Sequence, residues 1–204
     1  MSTPHRSVWT MLGLGGALVV LALGLLYGLQ PRPPRPEIWV ARGSALLAQW
    51  CAFLAILSSA SPRTTSRVLS VPFRTAHYTF SVAALILMLV HPLAVALVLG
   101  RLDVFVPSLT SWRGFLMEGG RAALYLFALA SILALSRFRR RLRRLWRFTH
   151  LLTYVAFLLV TVHALLIGRT HHHAALRAVS VVLCVVATIV LVRNRFRLRR
   201  RASG

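Results

Sequence analysis

Four histidines lie inside two apolar stretches of the chain, two to a stretch. His77 and His91 stand fourteen residues apart in HYTFSVAALILMLVHPLAVALVLG, and His150 and His163 thirteen apart in WRFTHLLTYVAFLLVTVHALLIG. An ionisable side chain is costly in hydrocarbon, so histidine within a membrane-length segment marks a function by default. If both stretches are helices running in one direction, His77 and His150 share one level and His91 and His163 another, about 20 Å away at 1.5 Å per residue. Each level then offers one imidazole from each of two helices. That is the donor set a six-coordinate haem iron takes between helices, two neutral axial nitrogens facing one another across the porphyrin. Zinc fits less well, because two histidines with no acid or cysteine nearby leave a tetrahedral site incomplete.

The spacing also sets a condition. At about 100° per residue, fourteen residues return to within about 40° of the starting face, but thirteen leave His163 about 140° from His150. To present both residues, the second helix would need a bulge, a kink or rotated haem planes. Arg74 and Arg147 lie one turn before the inner histidines, where a guanidinium can pair with haem propionates. Trp146, His150 and Tyr154 recur at four-residue spacing and so share a helical face.

The elements that must carry these residues are membrane helices. Of 204 residues, 57% are hydrophobic and 14% charged, with a mean hydropathy of +0.71; runs of about 20 apolar residues are what a spanning helix requires. The sequence predicts an all-α, six-helix membrane bundle with helices at about 8–29, 42–60, 74–100, 121–136, 146–168 and 176–192, forming a single domain over 1–204. The first run reads as an uncleaved helix, since no small-residue cleavage site follows it. The proline-rich segment from Gln30 to Glu37 reads as a connector, and so do SPRTTSRVLSVPFR, RLDVFVPSLTSWRGFLMEGG and RFRRRLRRLWR. Gly13, Gly15 and Gly16 read as helix-packing glycines.

All 25 basic residues are arginine, against three acids, for a formal charge of +22. They lie between apolar runs, which suits lipid headgroups and orientation signals rather than nucleic acid. With six crossings and a cytoplasmic amino terminus, 17 arginines fall inside and 8 outside, so both termini are expected in the cytoplasm of a multi-pass plasma or inner membrane protein. Cys51 and Cys184 sit in apolar runs as packing residues, and no C-x-x-C-H is present to attach haem covalently. Met11, Met88 and Met117 read as packing or loop residues. Three acids, none in the histidine helices, leave no general acid and base pair for hydrolysis or group transfer.

The residues W-x-x-x-H-x-x-x-Y-x8-H (Trp146, His150, Tyr154, His163) and R-x-x-H-x13-H-P (Arg74, His77, His91, Pro92) resemble the ferric reductase-like transmembrane domain. That superfamily includes ferric reductases, the membrane halves of NADPH oxidases and the haem subunit of the periplasmic methionine sulfoxide reductase system. The likeness covers about three quarters of the chain, helices two to six. It implies two b-type haems, His77 opposite His150 and His91 opposite His163, with electrons passing from a cytoplasmic flavin to an outer acceptor. Oxidases and many ferric reductases continue into flavin and nicotinamide domains, for which the residues after the sixth helix leave no room. The resemblance therefore implies a separate cytoplasmic flavin or NAD(P)H reductase as partner, and a role as the membrane electron-transfer component of an oxidoreductase.

Two further features bear on partners. The triplet His171, His172 and His173 reads as polar loop in the headgroup zone, with capture of a ferric or cupric substrate as the functional alternative. The basic segment 137–147 and the tail read as topology determinants on anionic lipid, with docking of an acidic flavoprotein as the alternative. From another class, the rival reading of the whole chain is a haem-free transporter or assembly subunit that uses its histidines for helix contacts or proton movement.

Overall fold

Proline opens the second long helix, which contributes more of the buried apolar residues than any other described helix. In the computed structural model, which describes residues 4–29, 35–106, 111–168 and 172–202, the chain forms α1 (Pro4–Leu29), α2 (Pro36–Ala60), α3 (Pro62–Leu69), α4 (Phe73–Leu99), a 3-10 turn (Asp103–Phe105), α5 (Trp112–Met117), α6 (Gly119–Ala134), α7 (Ser136–Arg141), α8 (Arg143–Ile167) and α9 (Ala174–Ala202). Among the described residues there is no strand. The chain is an all-helical membrane protein.

Local chemistry explains where several helices start and stop. Pro36 stands in the first turn of α2, where its missing N–H is no loss and its fixed φ already suits the helix. Glu37 follows in that turn and favours the positive end of the helix dipole. α2 thus begins six residues earlier than its apolar pattern predicts. α4 ends on Gly100 at φ 65°, the left-handed conformation that glycine adopts without cost. α9 continues as helix through the arginines of the tail to Ala202, ten residues beyond the predicted end. The three connectors expected after the second, third and fourth helices each hold a short helix: α3, α5 and α7. At α5 the Ser111 side chain accepts a hydrogen bond from the Gly114 N–H, an N-cap that the sequence reading passed over. Residues 30–34 of the proline-rich connector, 107–110 of the polar loop, Arg169 and His171 lie outside the described residues.

Four segments are long and apolar enough to cross a membrane: α2, α4, α8 and residues 174–193 of α9. The apolar parts of α1 (Gly13–Gly28) and α6 (Gly119–Ala134) are shorter than the roughly 20 residues a spanning helix needs.

α2 occupies the centre. Ala48, Cys51 and Ala52 meet Ala84 and Met88 of α4, Leu124 of α6, Phe157 of α8 and Ala187 of α9 in the main apolar cluster. Small residues let helix backbones approach closely where hydrocarbon offers no hydrophobic drive between them. Cys51 and Met88 are packing residues here, and Met11 is packed against the cluster of Ala55, Val71, Ala76 and Phe80. Both cysteines are free thiols. Gly13, Gly15 and Gly16 have open space where a Cβ would project, so helix packing does not account for them.

A buried polar chain ties three helices together within this core. Gln49 of α2 donates from Nε2 to Thr161 Oγ1 of α8 at 3.3 Å and accepts at Oε1 from Ser180 Oγ of α9 at 3.0 Å. Thr161 in turn donates to the Phe157 carbonyl at 2.9 Å. Relative exposures of 2%, 1% and 0% for Gln49, Thr161 and Ser180 mean that water satisfies none of them, so the network must be complete within the protein.

Candidate functional site

α2 and α4 run antiparallel in a register that pairs backbone carbonyls with imidazoles. His77 Nδ1 lies 3.0 Å from the carbonyl oxygen of Ala55, and His91 Nδ1 lies 2.8 Å from that of Ala41. A carbonyl only accepts, so Nδ1 carries the proton in each ring and Nε2 keeps its lone pair. This is the arrangement by which a protein fixes tautomer and ring orientation for a metal-ligating histidine. The pairing repeats because Ala41 and Ala55 are separated by the same fourteen residues as His77 and His91.

Those two carbonyls also receive serine hydroxyls. Ser58 Oγ donates to Ala55 O at 2.8 Å. Ser44 Oγ lies 3.2 Å from Ala41 O and donates more closely, at 2.6 Å, to Val40 O. The sequence reading missed both serines. The signal was available: A-x-x-S occurs at 41–44 and again at 55–58, at the histidine spacing.

From α8, His150 meets His77 with ring centroids 6.0 Å apart and planes at 73°. Trp146 stacks on His150 from one turn earlier, at 5.6 Å and 24°. α4 packs mainly on α2, and α8 mainly on α6, so the two histidine-bearing helices meet at this level through side chains. At the other level His163 packs on α6. A Cβ placed on Gly120 would stand 3.0 Å from His163 Cδ2 and Nε2 and 3.2 Å from Cε1, so the imidazole uses the space that this glycine leaves. His150 and His163 therefore face different neighbours, α4 and α6, as a spacing of thirteen residues on one helix dictates.

Arg74 lines a cavity of about 640 Å³ together with Tyr78, Arg139, Arg140, Arg143 and Trp146. Arg147 is exposed on α8 and is not part of that lining. Arg139, Arg140 and Arg143 were seen in the sequence only as members of a basic run. Which of them turn toward α4 depends on the helix break at Leu142, which has no marker in composition. Tyr154 packs against the main apolar cluster. Near the start of α9, His172 is exposed, while His173 is half-buried with Nδ1 inside the protein and without a hydrogen-bond partner. Among the described residues no three or more of His, Cys, Asp and Glu converge as a metal cluster; the histidine arrangements are pairs.

The acids take local roles. Asp103 pairs with Arg101, whose hydrogen bond holds the carboxyl below the usual carboxylate range, and Glu118 pairs with Arg121 at 3.1 Å. Arg121 also donates to the Val106 carbonyl, and Tyr125 donates to that of Phe105 at 2.8 Å. These contacts fasten the loop between α4 and α5 onto the start of α6.

Comparison with known proteins places this geometry in a class. The family described as ferric reductase like transmembrane component matches residues 42–161, well over half of the chain, and the protein belongs to that family. The matched span runs from early α2 into α8. It takes in Arg74, His77, His91, Arg147 and His150 and stops two residues before His163. No curated protein and no solved structure matches the chain.

Proposed function

We propose that this protein is the membrane electron-transfer component of an oxidoreductase, ferric reductase-like, holding b-type haem between α4 and α8. In this reading the bundle crosses the membrane six times with both termini in the cytoplasm of a plasma or inner membrane. A cytoplasmic flavin or NAD(P)H reductase is the electron source, and the acceptor is extracytoplasmic. Family membership supports a redox role in the membrane.

The observation that carries the reading is the inner pair. His77 and His150 come from different helices with their ring centroids 6.0 Å apart, and together they would hold the iron of a haem. His77 already has its proton committed to Ala55 O, which turns a lone pair toward the space between the helices. The residues therefore fit haem. When bound, haem supplies a one-electron carrier. The chain's own residues do the rest. Ala55 and Ala41 hold the His77 and His91 rings by their Nδ1 protons, Trp146 restrains His150 by stacking, and Arg74 and Arg147 are the cations assigned to propionates.

At the outer level His91 is oriented by Ala41, and His163 lies against Gly120. That difference favours a second reading in which only the inner level is filled, as a haem subunit of a periplasmic methionine sulfoxide reductase system. A reduced-minus-oxidised spectrum of purified protein with a haem-to-chain ratio decides among these. It is repeated for His77→Ala, His91→Ala, His150→Ala and His163→Ala. Two haems, with substitutions at each level removing the same one, establish the two-haem reading. One haem, lost with His77 or His150 and retained without His91 or His163, establishes the second. Protein from haem-replete cells that carries none overturns both and leaves a haem-free transporter or assembly subunit.

A further inference from the structure

The arginine-lined cavity holds donors and lacks an acceptor of matching charge. Its walls are Arg74 and Tyr78 of α4, Arg139 and Arg140 of α7, and Arg143 and Trp146 of α8. Arg139 reaches the Tyr78 hydroxyl at 3.5 Å. Trp146 Nε1 is buried and has no hydrogen-bond partner, an arrangement proteins avoid unless another acceptor arrives. The chain has three acids, and none serves here. Glu37 stands in the first turn of α2, at the His91 end, while Asp103 and Glu118 pair with Arg101 and Arg121 beyond the far end of α4. With Arg74 assigned to a propionate, the three guanidinium groups of Arg139, Arg140 and Arg143 and an indole N–H call for a further anion from outside the chain.

The surface leading away from the cavity identifies its class. Tyr78 is also the first residue of an exposed apolar stripe on α4 that continues through Val82, Ile86, Leu89 and Leu93, at the spacing that aligns side chains along one helical face. Phe138, Leu142 and Leu145, on and between α7 and α8, are exposed as well. A soluble anion makes no use of such a stripe. A phospholipid does, because its phosphate and its acyl chains are joined at about this boundary, where tyrosine and tryptophan also settle. Basic pockets between membrane helices bind anionic headgroups by the same chemistry.

We propose that this cavity is a specific site for an anionic glycerophospholipid. The headgroup phosphate lies among Arg139, Arg140, Arg143 and the Trp146 N–H, and an acyl chain follows the Tyr78, Val82 and Ile86 face of α4. The site borders the proposed haem level through Arg74 and Trp146, and it takes for the headgroup the three arginines that the haem assignment does not use.

The test uses the full chain, with whatever haem it carries, in detergent, and native mass spectrometry with phosphatidylglycerol or phosphatidylcholine added. The wild type is expected to retain phosphatidylglycerol in preference to phosphatidylcholine, and excess inorganic phosphate is expected not to displace it. Arg139→Gln, Arg140→Gln and Arg143→Gln combined weaken retention at least about thirtyfold with the haem-to-chain ratio unchanged. Should the triple variant not fold, Trp146→Phe removes the unpartnered N–H while keeping an aromatic ring against His150, and weakens retention about fivefold. Equal retention of the two lipids overturns the proposal, as does full retention by the folded variants. Displacement by phosphate alone makes the site one for free anions. Loss of haem with the three arginines reassigns them to propionates. Either result rejects a lipid site.

Discussion

The Nδ1 atom of His91 sits 2.8 Å from the carbonyl oxygen of Ala41, and the relationship recurs fourteen residues away between His77 and Ala55 at 3.0 Å. One helix thus sets the proton position of imidazoles on its neighbour, and it does so through backbone atoms that side-chain substitution leaves in place. What substitution can change is the competition for those carbonyls. Each accepts its helical N–H, an imidazole and a serine hydroxyl, Ser58 at 2.8 Å for Ala55 and Ser44 at 3.2 Å for Ala41.

Ser58→Ala removes a competitor at Ala55 O and strengthens the bond from His77. A more strongly held Nδ1 proton makes the ring a better electron donor. The midpoint potential of the haem at this level is expected to fall by about 20 mV, the one-electron equivalent of roughly half a kcal/mol. Ser44→Ala moves its level less, because the Ser44 hydroxyl is closer to Val40 O than to Ala41 O, at 2.6 Å against 3.2 Å. Potentiometric titration of the two variants checks both the sign and the ranking. Equal shifts would place the effect elsewhere than in these hydrogen bonds.

Trp146→Ala takes away the ring stacked 5.6 Å from His150. An aromatic contact of this kind contributes about 1 kcal/mol, so His150 should hold haem less firmly, with release faster by about fivefold. The measurement is transfer of haem to an excess of a haem-scavenging protein, followed by absorbance. Identical release from wild type and variant would show that His150 is oriented by something other than Trp146.

Two adjacent glycines separate a site effect from a packing effect. At Gly120 an added Cβ would meet the His163 imidazole at 3.0 Å, whereas at Gly119 it would meet the backbone oxygen of Leu159 at 3.3 Å. Gly120→Ala is expected to displace the His163 ring and change the spectrum of any haem at the outer level, while Gly119→Ala forces α6 and α8 apart. Overpacking of either kind costs about 1–3 kcal/mol. Electron paramagnetic resonance of the oxidised protein distinguishes them. An altered outer signal is expected from Gly120→Ala, and lowered thermal stability with unaltered signals from Gly119→Ala.

Much of this site was legible in the apolar runs and in the histidine levels, because a charge-capable ring in a membrane segment is conspicuous against leucine and valine. His77 and His150 meet, as two helices running in the same direction permit. The awkward thirteen-residue step has a plain physical outcome, in that His163 faces α6, where Gly120 gives it room. Less legible were α3, α5 and α7, which are short and lack a long apolar period, and the cavity arginines, whose direction follows from the break at Leu142. The two A-x-x-S steps on α2 stand in the sequence at the histidine spacing. They gain meaning only once α2 is known to run antiparallel beside α4 in a register that aligns Ala41 with His91.

Gln49 was passed over in the sequence as one polar residue in an apolar helix, yet it joins α2 to both α8 and α9. Hydrogen bonds between membrane helices average about 0.6 kcal/mol and reach about 1.7, so Gln49→Leu, which keeps the volume and removes two such bonds, is expected to lower stability by about 1 kcal/mol. Gln49→Ala adds an unfilled volume between Thr161 and Ser180 and costs about 2 kcal/mol or more. Because Thr161 lies two residues before His163 on α8, the larger defect should also loosen the outer level, whereas the inner level depends on Ala55 and Trp146 and should be spared. Thermal unfolding in detergent gives the ranking of the two variants, and the haem-to-chain ratio after heating below the midpoint shows which level is lost first. Loss of the inner haem before the outer would mean that the polar chain at Gln49 does not support α8 in the way its contacts indicate.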